Sequence, residues 1–365
     1  MTPTPQGPLH GLRIIEFDAI GPVPLAAMIL ADLGADVLRI ARTSAGFFDN
    51  AGGAVLHRNR PHLSLDLKSP ADRERAMDLV ARADAVIEGL RPGVMERLGL
   101  GPEPCLARNP RLAYVRMTGW GQTGPLAARA GHDLNYIALT GALHAMGAAD
   151  QPPPVPLNLI GDYGGGAMFA AVGLLAAVHS ARATGRGQVV DVAMTDGTAV
   201  LSSLFHALSA GGLWTSARGE NLLDGGAPFY RCYACADGGH VAVGALEPPF
   251  FAALIAGLQL DFDPAAQYDR SRWPELARRL ADAFAASPRD HWTALFQDTD
   301  ACVTPVLSFQ ESADHPHNQA RATLVQAEGL TQPAPAPRFS ATPAALAPER
   351  RVRIDFADAL ARWPE

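Results

Sequence analysis

The chain has a single lysine, Lys68, although lysine and arginine together number 30 of its 365 residues. A lone lysine at a strand end, in a sequence that otherwise uses arginine, is a candidate phosphate ligand. Cysteine is scarce too: four residues, Cys105, Cys232, Cys235 and Cys302. Cys232 and Cys235 form a C-x-x-C in a predicted hairpin strand, where positions three apart face opposite ways, and no second pair completes a metal site. An excess of positive charge is missing. The net charge of −7 excludes a general nucleic-acid binder but leaves room for a local cluster around an anionic ligand.

Long hydrophobic runs are absent as well. The longest, from Gly164 to Val178, holds 15 residues, four of them glycine, and predicts a buried helix. A membrane span needs ~20. The opening MTPTPQGPLHGLRII has no basic region followed by an apolar one, so no secretory leader is expected. The thiols are then expected to be reduced and the location cytoplasmic. With 48% hydrophobic and 18% charged residues, the composition is that of an ordinary globular protein with a large core. Its 35 glycines and 30 prolines point to many ordered loops.

The first third alternates between two hydrophobic periods. Strands are predicted at Leu12–Ala19, Asp36–Ala41, Leu63–Leu67, Ala85–Leu90 and Arg111–Met117, with helices at Leu25–Leu33 and Ala71–Ala83. Gly21-Pro22-Val23-Pro24 reads as a loop, and Ser69-Pro70 as a helix cap. This alternation implies a doubly wound α/β sheet. A long helix from Asp162 to Arg182 and a strand at Gln188–Met194 follow. A hairpin then leads into a helical region, Pro248–Ala286, predicted to form a smaller domain.

The dinucleotide fingerprint G-x-G-x-x-G is missing from the first turn, and the prolines of GPVP leave few N–H groups for a pyrophosphate. Arg39 and Arg42 stand where such folds place an acid for a ribose hydroxyl. A cation there favours a phosphorylated ribose, in NADP or in coenzyme A. Together with Lys68, residues Arg42, Arg58, Arg60, Arg91 and Arg97 suggest an anion-binding surface.

Three segments carry groups able to move protons: Asp162 in LNLIGDYGGGAMF, His132 in AGHDLNYIALTG, and Glu247 in VGALEPPFF. A carboxylate between an apolar run and three glycines is costly to ionise unless it is paired or used. At the start of a helix the dipole stabilises it, the glycines let a ligand approach, and free N–H groups could hold an oxyanion. Each residue alone also fits a plain structural role: a helix cap, a satisfied histidine, a strand-end charge.

Taken together, GHDLNYIALTGALHAMG, PLNLIGDYGGGAMFAAVGLLAAV, TGRGQVVDVAMTDG and VAVGALEPPFF resemble, in order and spacing, the family III CoA-transferase (CaiB/BaiF) superfamily. Within it, the chain is most similar to the α-methylacyl-CoA racemases, from about Leu12 to Phe309. The resemblance implies 1,1-proton transfer at the carbon beside a thioester carbonyl, with His132 and Asp162 on opposite faces and Glu247 hydrogen-bonded to the histidine. One group removes the proton and the other returns one, by way of an enolate. It implies CoA contacts at Arg42, Leu65, Leu67, Lys68, Gly89, Leu90, Arg91 and Arg97, with Gly131, Asp133 and Tyr136 at the thioester end. No separate cofactor or metal is implied, because coenzyme A arrives as part of the substrate.

The fold implied is α/β: a Rossmann-like large domain with a smaller α+β domain, in an interlocked homodimer where Glu247 meets His132 across the interface. The corresponding organisation is 1–195 as the CoA-binding large domain, 196–227 as a linker and 228–300 as the small domain. A second linker, 301–330, precedes a C-terminal segment, 331–365, that returns to the large domain. Two rival readings remain open. One is a CoA-transferase on the same fold, with Asp162 as nucleophile; the other is an NADP-binding dehydrogenase. The acyl group is undetermined, with Ile20, Leu222 and Leu223 as candidate pocket residues.

Overall fold

The computed structural model describes residues 7–43 and 52–364, so the first six residues, read above for a leader, lie outside it. The chain divides into two compact units. The first comprises 7–140, 156–203 and 320–364, and the second 141–155 and 204–319. Residues 141–155 thus join the second unit, and the stretch 301–330 contributes elements to both units instead of only connecting them.

The first unit is built on six parallel strands: β1 (Arg13–Phe17), β2 (Asp36–Ala41), β3 (His62–Ser64), β4 (Ala85–Glu88), β5 (Ala113–Thr118) and β6 (Gln188–Ala193). Their order is β3-β2-β1-β4-β5-β6, the doubly wound arrangement anticipated from the alternating pattern. Ile14, Ile15, Val86, Ile87, Ala113 and Val115 are inaccessible to solvent, as expected of strands covered on both faces.

Helix α1 spans Pro22–Asp32 and α2 spans Pro70–Val80. The GPVP segment is therefore not a loop. Its prolines fill the first turn of α1, where their missing N–H groups would have no intrahelical acceptor in any case. The short α3 is Asp133–Ala138, and α4 is Met168–Thr184, directly preceded by a π-helical stretch, Leu159–Ala167. Helix α5 (Met194–Leu201) follows β6.

The run Leu159–Thr184 is long and apolar enough to cross a membrane by length and composition. Here Ala170, Leu174, Ala177 and Val178 pack into the core between the sheet and α1. The opposite core layer is closed by the C-terminal helix Phe356–Arg362, with Ala359 and Trp363 buried beneath α2. The proline-rich segment before it is tied down by Asn59, which donates to the Ala345 carbonyl and accepts the Ala347 N–H.

The second unit holds an antiparallel sheet of β7 (Tyr230–Ala234), β8 (His240–Gly244) and β9 (Val303–Pro305). Helices α6 (Pro248–Gly257), α7 (Trp273–Ala285) and α8 (Arg289–Phe296) cover it around Phe229, Phe251, Phe284 and Trp292. In its hairpin the Cys232 thiol is exposed and the Cys235 thiol buried.

Candidate active site

A cavity of about 450 Å³ opens within the first unit, where the chain leaves the C-terminal ends of β1, β2, β4 and β5. Because β1 and β4 are neighbours whose connections run in opposite directions, this is the crevice in which such sheets bind ligands. His132 and Asp162 both line it, together with Gly131, Tyr136, Arg42, Leu90 and Arg91.

His132 is the N-cap residue of α3 and is exposed. Its backbone N–H donates to Asn135 Oδ1 at 3.1 Å, which fixes the entry of the chain into the helix. One turn on, the Tyr136 hydroxyl donates to the Gly131 carbonyl, and its ring meets Trp120 edge-on at 4.7 Å. Burial raises the tyrosine pKa, as does the negative charge of Asp162, with Arg91 opposing. Tyr136 therefore stays a neutral hydrogen-bond donor that shapes the loop before His132.

Asp162 is half-buried in the π-helical stretch. It is not an N-cap, since Asn158 holds that position, and Asn158 Nδ2 donates to Asp162 Oδ2 at 3.3 Å. Burial pushes the Asp162 carboxyl above its ordinary range and the charge of Asp133 adds to this, while the Asn158 hydrogen bond and the His132 charge oppose it. Those shifts give a carboxyl closer to the operating pH, the condition for an efficient proton carrier. Gly21, at φ 75°, lets this carboxylate approach the turn after β1: a Cβ there would lie 3.3 Å from Asp162 Oδ2.

Asp133 has a different task from the one expected. Its buried Oδ2 accepts the Asp162 N–H at 2.7 Å, linking the first turn of α3 to the π-helical stretch. Asp133 itself is not part of the cavity wall. One of the N–H groups expected to hold an oxyanion is thereby occupied. The glycines after Asp162 also serve packing more than ligand approach. A Cβ on Gly165 would come within 2.7 Å of Thr198 Oγ1, and one on Gly197 within 1.9 Å of the Gly165 carbonyl oxygen, so α5 and the π-helical stretch cross backbone to backbone.

The cation cluster separates into two sets. Arg58 pairs with Asp32 at 2.5 Å and Arg60 with Glu16 at 2.6 Å, all four side chains almost wholly buried. Arg39 pairs with Asp18 at 2.7 Å. These three arginines answer internal carboxylates, because a buried charge without a partner is far costlier than a paired one, and the anion-binding role expected of Arg39, Arg58 and Arg60 is not supported. Arg42 and Arg91 are exposed and face the cavity. Leu65, Leu67, Lys68, Gly89 and Arg97 lie outside its wall. Gly89 packs against Val23, Leu65 is buried, and Lys68 and Arg97 are exposed. Glu247 belongs to the second unit, where it is exposed as the N-cap of α6.

Trp120, Arg129 and Asn158 also line the cavity, and the sequence alone did not single them out. For Asn158 a signal existed: it stands four residues before Asp162, the spacing that brings side chains together on a helix.

A parallel sheet with a histidine and an aspartate lining one cavity at its switch point defines the class as a doubly wound α/β protein whose ligand site carries two ionisable groups. The model of CoA-transferase family III matches residues 9–351, and the chain belongs to that family. It is 44% identical to the α-methylacyl-CoA racemase of Mus musculus over 94% of this chain and 89% of that one. Identity to the racemase of Homo sapiens is 43%, over 92% of this chain and 87% of the other. An acetyl-CoA:oxalate CoA-transferase from Acetobacter aceti is 32% identical, over 90% and 88% of the two chains. The crystal structure of a CAIB/BAIF family protein from Brucella suis shares the fold at TM-score 0.81 and 24% identity, covering 98% of each chain.

Proposed function

We propose that the chain interconverts the (2R) and (2S) forms of 2-methylacyl-CoA thioesters. His132 and Asp162 are the acid/base pair. The observation that carries this reading is that these two groups, far apart in sequence, share one cavity in which burial raises the pKa of the carboxyl. In one direction His132 takes the α-proton, the electron pair moves into the thioester carbonyl to form an enolate, and Asp162 delivers a proton to the other face. In the reverse direction the roles exchange. The identity to two racemases, over most of both chains, supports the same activity.

The CoA portion lies along Arg42, Leu90 and Arg91, its distal end reaching Lys68 and Arg97 on the exposed surface, beside the half-buried Leu67 and the buried Leu65. No other cofactor takes part. Glu247 orients the His132 imidazole from a second copy of the chain. Apolar side chains left exposed on the first unit, among them Val172 on α4 and Val200 and Leu201 on α5, support a dimer. A cytoplasmic location belongs to the same proposal, on the free state of all four thiols.

A second reading, acyl transfer with Asp162 as nucleophile, is favoured by the identity to the oxalate CoA-transferase. Incubation with a single epimer of a 2-methylacyl-CoA in D2O separates the two. Deuterium at the α-carbon and both epimers are expected without any acceptor acid. No deuterium at the α-carbon, with CoA passed to an added acceptor acid, would overturn the racemase reading.

A further inference from the structure

Beside the cavity wall lies a buried carboxyl that the proton transfer does not use. Glu88 is the last residue of β4 and is inaccessible to solvent. Its Oε2 accepts the N–H of Leu90 at 2.7 Å, two residues on, so the side chain closes its own backbone turn. Its Oε1 accepts Arg116 Nε from β5 at 3.2 Å. Arg116 Nη1 in turn reaches Glu96 Oε1 at 2.8 Å, in the short helix Val94–Arg97. One carboxyl thus clamps both ends of the loop between β4 and that helix, and from this loop Leu90, Arg91 and Pro92 enter the cavity. Glu88 does not line the cavity itself.

We propose that Glu88 is a positioning residue for the CoA portion of the substrate, holding the Leu90–Pro92 loop in the shape that presents Arg91 to a pyrophosphate. This rests on the reading of the cavity as a CoA thioester site. The ionised carboxylate is the form that both Arg116 and the Leu90 N–H hold, so protonation slackens the clamp. Burial pushes the Glu88 pKa up to about 7, with the Leu90 N–H and Arg116 opposing and Glu96 adding to the rise. Tyr114, the other titratable group that interacts with Glu88, is itself raised by burial and remains neutral. The loop is therefore set firmly above neutral pH and loosely below it.

The test is a direct titration of wild type and Glu88→Gln with 3′-dephospho-CoA, whose pyrophosphate has no group titrating between pH 6 and 8. Wild-type affinity is expected to rise about fivefold from pH 6 to pH 8 as the carboxyl ionises. Glu88→Gln should bind at the weaker level throughout, with a flattened profile. Its kcat for α-proton exchange should stay within about twofold while KM rises, the pattern of a group that acts on binding. His57 and His132 also face the cavity, but they are common to both proteins and cancel in the comparison. Identical profiles for the two proteins overturn the positioning role. Failure of wild type to bind any CoA species overturns the CoA reading, and this inference with it. If Glu88→Gln does not fold, Glu96→Gln removes the outer end of the clamp from a partly exposed site. It should weaken binding about twofold in the same direction, and an unchanged affinity there refutes the proposal.

Discussion

Two groups of charged side chains in the first unit behave in opposite ways. Arg39, Arg58 and Arg60 are buried, each held by a carboxylate, and their charge is cancelled inside the protein. Arg42 and Arg91, with His132 and Asp162, face a cavity. What separates them is how completely the fold satisfies each charge: Arg42 also lies 3.8 Å from Asp18, but it is exposed and the contact is long, so its charge stays available to a ligand.

The contrast is broken most sharply on the cavity side. His132→Ala and Asp162→Asn should each lower α-proton exchange by about 10²–10⁴-fold, the usual contribution of a positioned acid or base. Melting temperature should not change, and a loss of stability matching the loss of rate would move these residues to the other group. On the buried side, Arg60→Met leaves the Glu16 carboxyl buried without its hydrogen-bonded partner. Unfolding in urea should show a loss of about 3–5 kcal/mol, largely restored when Glu16 is replaced by Gln as well.

Glu88 links the two groups, and its stability effect has a definite sign. Its folded pKa is raised from 4.5 to about 7, so the folded state keeps a proton that the unfolded chain releases. The associated stability is present below the ordinary carboxylate range and disappears as pH rises through about 7, on the order of 3 kcal/mol in all. Urea midpoints for wild type should fall between pH 5 and 8, and Glu88→Gln should flatten that fall. Arg42→Ala or Arg91→Ala should raise KM about tenfold, near 1.4 kcal/mol, with kcat and melting little altered. Lys68→Ala, at an exposed site outside the cavity wall, should raise KM by less than about threefold. A larger effect would show that the distal end of the substrate is gripped more firmly than an exposed lysine permits.

Much of the fold was legible because parallel strands buried on both faces read as short apolar runs, as at Arg13–Phe17 and Ala85–Glu88. The misreading of GPVP came from treating proline as a breaker where it is a first-turn residue. Asp162 stood out as a carboxylate beside glycines in apolar surroundings, but its pairing with His132 followed only from the resemblance of the two motifs to family III CoA-transferases, since each residue alone also fits a structural role. The task of Asp133 was hidden, since its partner is a backbone N–H 29 residues away. Gly165 and Gly197 were equally opaque, because the close contact they permit is between segments, not along one.

The sequence by itself determined the period of each element, the doubly wound sheet and the residue types able to carry a proton or meet a phosphate, all properties of neighbours along the chain. Only the tertiary structure decided which arginines keep their charge for a ligand, which carboxyls are buried until their pKa rises, and that one histidine and one aspartate share a cavity. Desolvation and Coulomb pairing depend on distance through space, and chain order does not fix that distance.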